Sequence, residues 1–172
     1  MAEVWVVNAS PLIVLDRLGQ LDLFVRLGHK LIVPGGVLAE ISRGPRPISA
    51  DRLASFLTVA VDVIDPIVAA WDLGRGESQV LTCAASEHAD VAVLDDRAAR
   101  RCAAALGLTT HGTLHVLLQA KKAGLLPAVA PMIDRARAEG LFLSDALVAK
   151  ALLLAGERRQ LANARCPASR SC

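Results

Sequence analysis

Short aliphatic runs rich in Val, Ile and Thr recur along this chain, separated by stretches with helical periodicity. That alternation constrains the fold more than any other feature, because strands joined through helices are returned to the same end of a sheet and pair in parallel. Val4 to Val7 reads as the first strand, Lys30 to Val33 as the next, Thr58 to Val63 as an edge strand, Val91 to Leu94 as a central strand and Leu108 to Thr110 as a further one. Between them, Ser10 can cap a helix that has Pro11 in its first turn and runs to Gly19. Leu21 to Leu27 is helical, and Pro34-Gly35-Gly36 turns into a short helix carrying Glu40. The run from Arg43 to Ala50 is a loop, and Asp65-Pro66 opens a helix that stops at Gly74. A helix from Glu77 to about His88 places Val80, Leu81 and Ala84 on one face. Helices over Arg97 to Leu106 and Thr113 to Ala123 follow, with two more ending at Gly140 and Gly156.

At 172 residues and 53% hydrophobic, the chain can bury a core as one domain without disulfides. Its four cysteines show no C-x-x-C spacing, so neither zinc nor a disulfide framework is indicated and a reducing cytoplasm is the simpler setting. No secretory signal is expected from Met1-Ala2-Glu3-Val4. The longest uncharged window, Cys102 to Ala120, contains His111, His115, Gln119, three Thr and two Gly, and reads as buried secondary structure, not a membrane span. A net charge of +2 does not announce a nucleic-acid binder. Aromatics are 3% with no Tyr, so a nucleic acid would be held mainly by its backbone. The domain is expected over residues 1–156. From Glu157 the segment to Cys172 loses its apolar period and is expected to be frayed.

In an open parallel sheet, ligands bind beyond the carboxyl ends of the strands. The residues there are Asn8, Asp95 and Asp96, with Glu40 and Glu77 reachable from the following helices. Clustered carboxylates tolerate one another when a hard divalent cation sits between them, and such a cation can polarise a phosphodiester and activate water. Each residue also has a structural reading. Asp96 can cap the Arg97 helix, Asp95 can close a strand-end turn, and Glu77 suits a first helical turn. Glu40 can be a solvated helix carboxylate and Asn8 a turn former. Arg97, Arg100 and Arg101 decorate the helix leaving Asp95-Asp96, where they can contact phosphates or simply face solvent.

Other chemistries have less support. There is no G-x-x-x-x-G-K-[ST], and Gly74-Arg75-Gly76 lacks the third glycine and preceding strand of a dinucleotide site. His111 and His115 lack an H-E-x-x-H context, while His29 and His88 stand alone in expected surface turns.

The ensemble of motifs resembles a known family. Val6-Val7-Asn8-Ala9-Ser10-Pro11, Ile32-Val33-Pro34 leading to Glu40, Leu73-Gly74-Arg75-Gly76-Glu77-Ser78, Val93-Leu94-Asp95-Asp96-Arg97 and Gly112-Thr113-Leu114-His115 follow one another as in PIN domains. They are similar to the branch of VapC-type toxins, the ribonuclease halves of toxin–antitoxin pairs, from about residue 4 to Gly156. The resemblance implies a three-layer α/β/α sandwich around a parallel sheet, a homodimer, an acidic cleft binding Mg2+ or Mn2+, and hydrolysis of single-stranded RNA. It also implies a cognate antitoxin as partner. Carried over residue by residue, the catalytic set is Asn8, Glu40, Glu77, Asp95 and Asp96. Asn8, Glu77 and Asp95 hold the metal, while Ser10, Arg97 and Arg100 contact substrate. Asn8 departs from the family, which usually has Asp there; an amide supplies an oxygen but no charge, although Asn is familiar in this branch. The alternative is a PIN-like fold that has lost catalysis and serves as an interaction module.

Overall fold

A computed structural model describes residues 2–157. Its sheet has five strands, all parallel: β1 (Val4–Val7), β2 (Lys30–Pro34), β3 (Leu57–Val59), β4 (Val91–Val93) and β5 (Thr110–His111), in the order β3-β2-β1-β4-β5. Trp5 pairs with Leu31 on one side and Val91 on the other, so β1 is the middle strand. Trp5, Val6 and Val7 are fully buried, which explains why this strand is a continuous apolar run and not an alternating one. The α/β sandwich expected from the alternation of elements is therefore the fold.

Helices α1 (Ala9–Arg17), α2 (Leu23–Arg26) and α8 (Thr113–Lys122) pack together on one face of the sheet. Helices α6 (Arg75–Ser86) and α7 (Arg97–Ala105) cover the other, as right-handed crossovers require when the chain reverses direction across the sheet. Helix α3 (Gly35–Arg43), leaving the carboxyl end of β2, reaches both α1 and α6. Single-turn helices α4 (Ala50–Leu53) and α5 (Pro66–Ala69) flank β3, while α9 (Ala130–Ala138) and α10 (Asp145–Leu154) close the chain, with α10 against α8. From β1 the chain moves outward through β2 to β3, then returns across the sheet to β4 and β5. The order thus reverses between β1 and β4, where a crevice opens at the carboxyl ends.

Several local expectations are corrected. Strand β3 stops at Val59 instead of Val63, because its neighbour β2 ends at Pro34, the residue paired with Val59. The helix opened by Asp65 lasts one turn and does not reach Gly74; Asp72 takes φ +51°, a left-handed conformation that Asp tolerates better than most residues. Helix α1 takes Asn8, not Ser10, at its N-cap, and the Asn8 side chain makes no capping bond. His29 does not stand alone in a turn: its ring stacks on Trp5 with centroids 3.9 Å apart, and Trp5 also meets Phe24 edge-on at 6.4 Å. The uncharged window from Cys102 to Ala120 is divided among α7, β5 and α8, and no helix among the described residues is long and apolar enough to cross a membrane.

Glu157, expected at the start of a frayed tail, is docked. Its carboxylate accepts the N–H groups of Val129 and Ala130 at 2.7 and 2.8 Å, at the N-terminus of α9, and pairs with Lys121 at 3.6 Å. Burial opposes its ionisation, but the two backbone donors and Lys121 outweigh burial and hold its pKa below the usual carboxylate range. Residues 158–172, expected to be frayed, lie outside the described residues.

Candidate functional site

The crevice between β1 and β4 is built from the first residues beyond each strand. Asn8 continues the ladder by one step, its N–H donating to the Val93 carbonyl at 3.1 Å, and is only 2% exposed. Its Nδ2 donates to Glu77 Oε1 at 3.3 Å, leaving Oδ1 buried without a hydrogen-bond partner. Glu77 sits in the first turn of α6, as its expected helix position requires. The turn before it carries two glycines with a steric reason. A Cβ on Gly74 would collide with Glu77 Oε2. A Cβ on Gly76 would stand 2.7 Å from Glu40 Oε2 and 3.2 Å from Asn8 Oδ1, so the space above Gly76 is a cradle between those two oxygens.

Glu40 enters from α3, which is pinned at its start by Gln79: Oε1 accepts the Gly36 N–H at 2.7 Å while Nε2 donates to the Val61 carbonyl at 2.9 Å. Glu40 is exposed as a residue, yet its carboxylate lies over Gly76; this local burial, then the charge of Glu77, raises its pKa.

Asp95, beyond β4, is fixed by three donors. Oδ2 accepts from Thr113 Oγ1 at 2.6 Å and Ser10 Oγ at 3.2 Å, and Oδ1 accepts the Thr113 N–H at 2.8 Å. Thr113 is fully buried and opens α8, so its N–H is one of the helix-terminal donors that favour an anion. Ser10, read first as a cap and then as a substrate contact, is spent at least in part on holding Asp95. Asp96 does cap α7, accepting the Ala99 N–H at 2.8 Å from an exposed position.

A cleft of about 510 Å³ is lined by Asn8, Ser10, Glu40, Glu77, Asp95, Asp96 and Arg97, together with Arg17, Glu139 and Phe142. Arg100, three residues along α7 from Arg97, lines an adjoining cavity with Asp95, His111 and His115 and does not line the cleft itself. Among the described residues, no three His, Cys, Asp or Glu side chains stand close enough to form a finished metal site. The donor set nevertheless fits a hard divalent cation: oxygen ligands only, one of them, Asn8 Oδ1, buried and unsatisfied beside the Gly76 cradle.

A family model described as PIN domain matches residues 4–157. The chain belongs to the PIN domain family. No curated protein matches it. PIN domains are typically metal-dependent nucleases acting on RNA, and the acidic cleft of this PIN domain lies where an open parallel sheet binds its ligand.

Sequence reasoning passed over Thr113, Glu139 and Phe142. Thr113 carries the same signal that selected Asn8 and Asp95, since it follows a strand and opens a helix. Glu139 and Phe142 come from the segment after α9, which no strand-end rule reaches. Glu139 is bound to Arg46 at 3.0 Å and Arg17 at 3.4 Å, so its charge is already matched.

Proposed function

We propose that this PIN domain is a metal-dependent endoribonuclease that hydrolyses single-stranded RNA, and that it is the toxin of a toxin–antitoxin pair. The observation that carries the reading is the buried, partnerless Asn8 Oδ1, which faces the cradle shared with Glu40 at the point where the strand order reverses. Asn8, Glu77 and Asp95 would hold Mg2+ or Mn2+. The ion supplies Lewis acidity for phosphodiester hydrolysis. Glu77 keeps one oxygen on the Asn8 amide and so fixes which side of Asn8 presents Oδ1. Asp95 is held rigid by Thr113 and Ser10, which spares it reorganisation when a cation binds. Glu40 and Asp96 complete the acidic rim and orient the attacking water, while Arg97 at the cleft edge takes a phosphate oxygen of the substrate.

A second reading rests on one observation. The Asn8 amide satisfies Glu77 without any cation, which suits a PIN fold retained as an interaction module. Incubating the purified protein with single-stranded RNA separates the two. Cleavage that requires Mn2+ or Mg2+, stops with chelator and is lost in Glu77→Ala supports the nuclease. Intact RNA under every condition supports the module. A small antitoxin-like reading frame beside the gene, and recovery of soluble protein only with that partner, would support the toxin role and its cytoplasmic setting; a dimer by light scattering would support the homodimer.

A further inference from the structure

The chain has three Phe, two Trp and no Tyr. Four of these rings are packed or partly packed, but Phe142 is 91% exposed. It is not on a loose loop. Leu141 and Leu143 on either side are buried, so the ring stands outward between two anchors. The backbone is tied as well: the Leu141 N–H donates to the Ala136 carbonyl at 3.0 Å, Arg137 Nη2 donates to the Leu143 carbonyl at 2.6 Å, and Arg17 Nη1 donates to the Glu139 carbonyl at 3.3 Å. With its backbone held in place, the ring can be covered by a ligand at little further ordering cost.

Phe142 borders two depressions at once, the acidic cleft and an adjoining cavity of about 250 Å³. The cavity has apolar walls that include Leu114, Leu118 and the exposed Leu147 and Leu154; Asp95 lies on its cleft side, and two cations, Arg100 and Lys150, line it. Neither cation forms an ion pair among the described residues. The volume is below the roughly 300–1,000 Å³ of pockets that take a whole drug-sized ligand. A flat hydrophobic ring and two cations outside any ion pair, next to the cleft proposed to bind a phosphodiester, suit an unpaired nucleotide whose base stacks and whose backbone is anionic.

Resting on the ribonuclease reading, we propose that Phe142 is a stacking platform for an unpaired base next to the scissile bond. Arg100 and Lys150, at the rim of the adjoining cavity, take the backbone of the neighbouring nucleotide. This gives the site a preference for single strands, because a base locked in a duplex cannot reach the ring.

The test is fluorescence anisotropy with a labelled single-stranded oligoribonucleotide, in chelator so that the probe is not cut. Phe142→Ala is expected to weaken binding roughly 5- to 150-fold, Phe142→Trp to retain it, and a probe carrying one abasic nucleotide at the stacked position to erase the difference between wild type and Phe142→Ala. The double variant Arg100→Gln, Lys150→Gln is expected to lower the slope of log affinity against log salt by about 1.4, the value for two lost contacts to a single strand. If the wild type binds and cleaves RNA while Phe142→Ala binds equally well, this proposal fails and the nuclease stands. If Phe142→Ala changes only the oligomeric state or capture of a protein partner, the ring belongs to a protein interface and the proposal fails likewise. If the wild type neither binds nor cleaves single-stranded RNA, both readings fall together.

Discussion

Replacing Asn8 by Asp turns the amide nitrogen that donates to Glu77 Oε1 into a carboxylate oxygen facing another carboxylate, at a position 2% exposed and 3.3 Å away. Two unit charges at that distance repel by about 5 kcal/mol at an effective dielectric of ~20. The folded protein has an alternative, which is to keep one carboxyl protonated. At neutral pH that costs about 4 kcal/mol, since the reference pKa of Asp is ~3.9 and each pH unit is worth about 1.4 kcal/mol. The penalty is therefore capped near 4 kcal/mol, and outward movement of Glu40 and Glu77 brings it to about 2–3 kcal/mol. For a domain of this size that is a fall of roughly 5–10 °C in Tm. The sign with pH follows from linkage. The variant's folded state binds more protons than its unfolded state above pH ~4, so its stability falls as pH rises from there, and its deficit against wild type closes at or below pH ~4. Mn2+ inverts the result, because the added charge meets the cation and an ion bound only to the folded state stabilises it more as Kd falls. The assay is paired thermal melts of wild type and Asn8→Asp in chelator and in millimolar Mn2+, at about pH 4 and pH 7, with calorimetry for Mn2+. The variant should melt lower than wild type in chelator at neutral pH and at least as high in Mn2+, with tighter metal binding and RNA cleavage at least as fast. A variant that melts lower under both conditions and binds no more Mn2+ would place Asn8 outside the site, as a strand-end turn residue.

Gly76→Ala puts a methyl group 2.7 Å from Glu40 Oε2 and 3.2 Å from Asn8 Oδ1. The usual gain of about 0.5–1 kcal/mol for this helical exchange is offset by displacing the Glu40 carboxylate, so Tm should stay within a few degrees, while Mn2+ affinity falls about tenfold by calorimetry. Unchanged affinity would separate that cradle from the metal. Thr113→Val removes the 2.6 Å hydroxyl donor to Asp95 from a fully buried residue and should cost about 1.5–3 kcal/mol in urea unfolding, with Thr113→Ser recovering most of it. Equal midpoints for Val and wild type would show that the backbone N–H alone fixes Asp95. Glu157→Gln loses one acceptor and the charge at the start of α9 and should cost about 1–2 kcal/mol at neutral pH. Because the folded pKa of Glu157 is depressed, its stabilisation is present above the unfolded value and is lost as pH falls through the folded one, so the gap between variant and wild type should narrow in acid melts. A gap independent of pH would assign the loss to shape, not charge.

Much of this architecture is written in local periodicity. Val4 to Val7, Lys30 to Val33 and Val91 to Leu94 could be recognised as strands because a strand buried on both faces must be apolar throughout, and the helices from Arg97 and Thr113 because their apolar residues repeat at helical spacing. The rule that ligands gather beyond strand ends was enough to select Asn8, Asp95 and Asp96. Where the reading failed, a distant neighbour decided the outcome. Strand β3 stops because β2 supplies no further partner, and His29 is held by Trp5, a residue of another strand. Glu157 is docked by Val129, Ala130 and Lys121, none of them near it in sequence.

The site divides in the same way. Its residue types and their order were set in the sequence, since oxygen donors at successive strand ends and helix starts need only the chain's own alternation of elements. Which oxygen is satisfied and which is left open was decided by the fold. Asn8 gives its amide to Glu77 across 69 residues, Ser10 gives its hydroxyl to Asp95 across 85, and Gly76 leaves room where any side chain would close the gap between Asn8 and Glu40. Phe142 is the clearest case, because nothing in its local sequence distinguishes it from a core residue. Only the burial of Leu141 and Leu143 beside it, and the cleft and cavity on either side, turn it outward. Periodicity is a property of neighbours along the chain, whereas hydrogen-bond satisfaction and exposure are properties of neighbours in space, and these exist only once the sheet has brought the strand ends together.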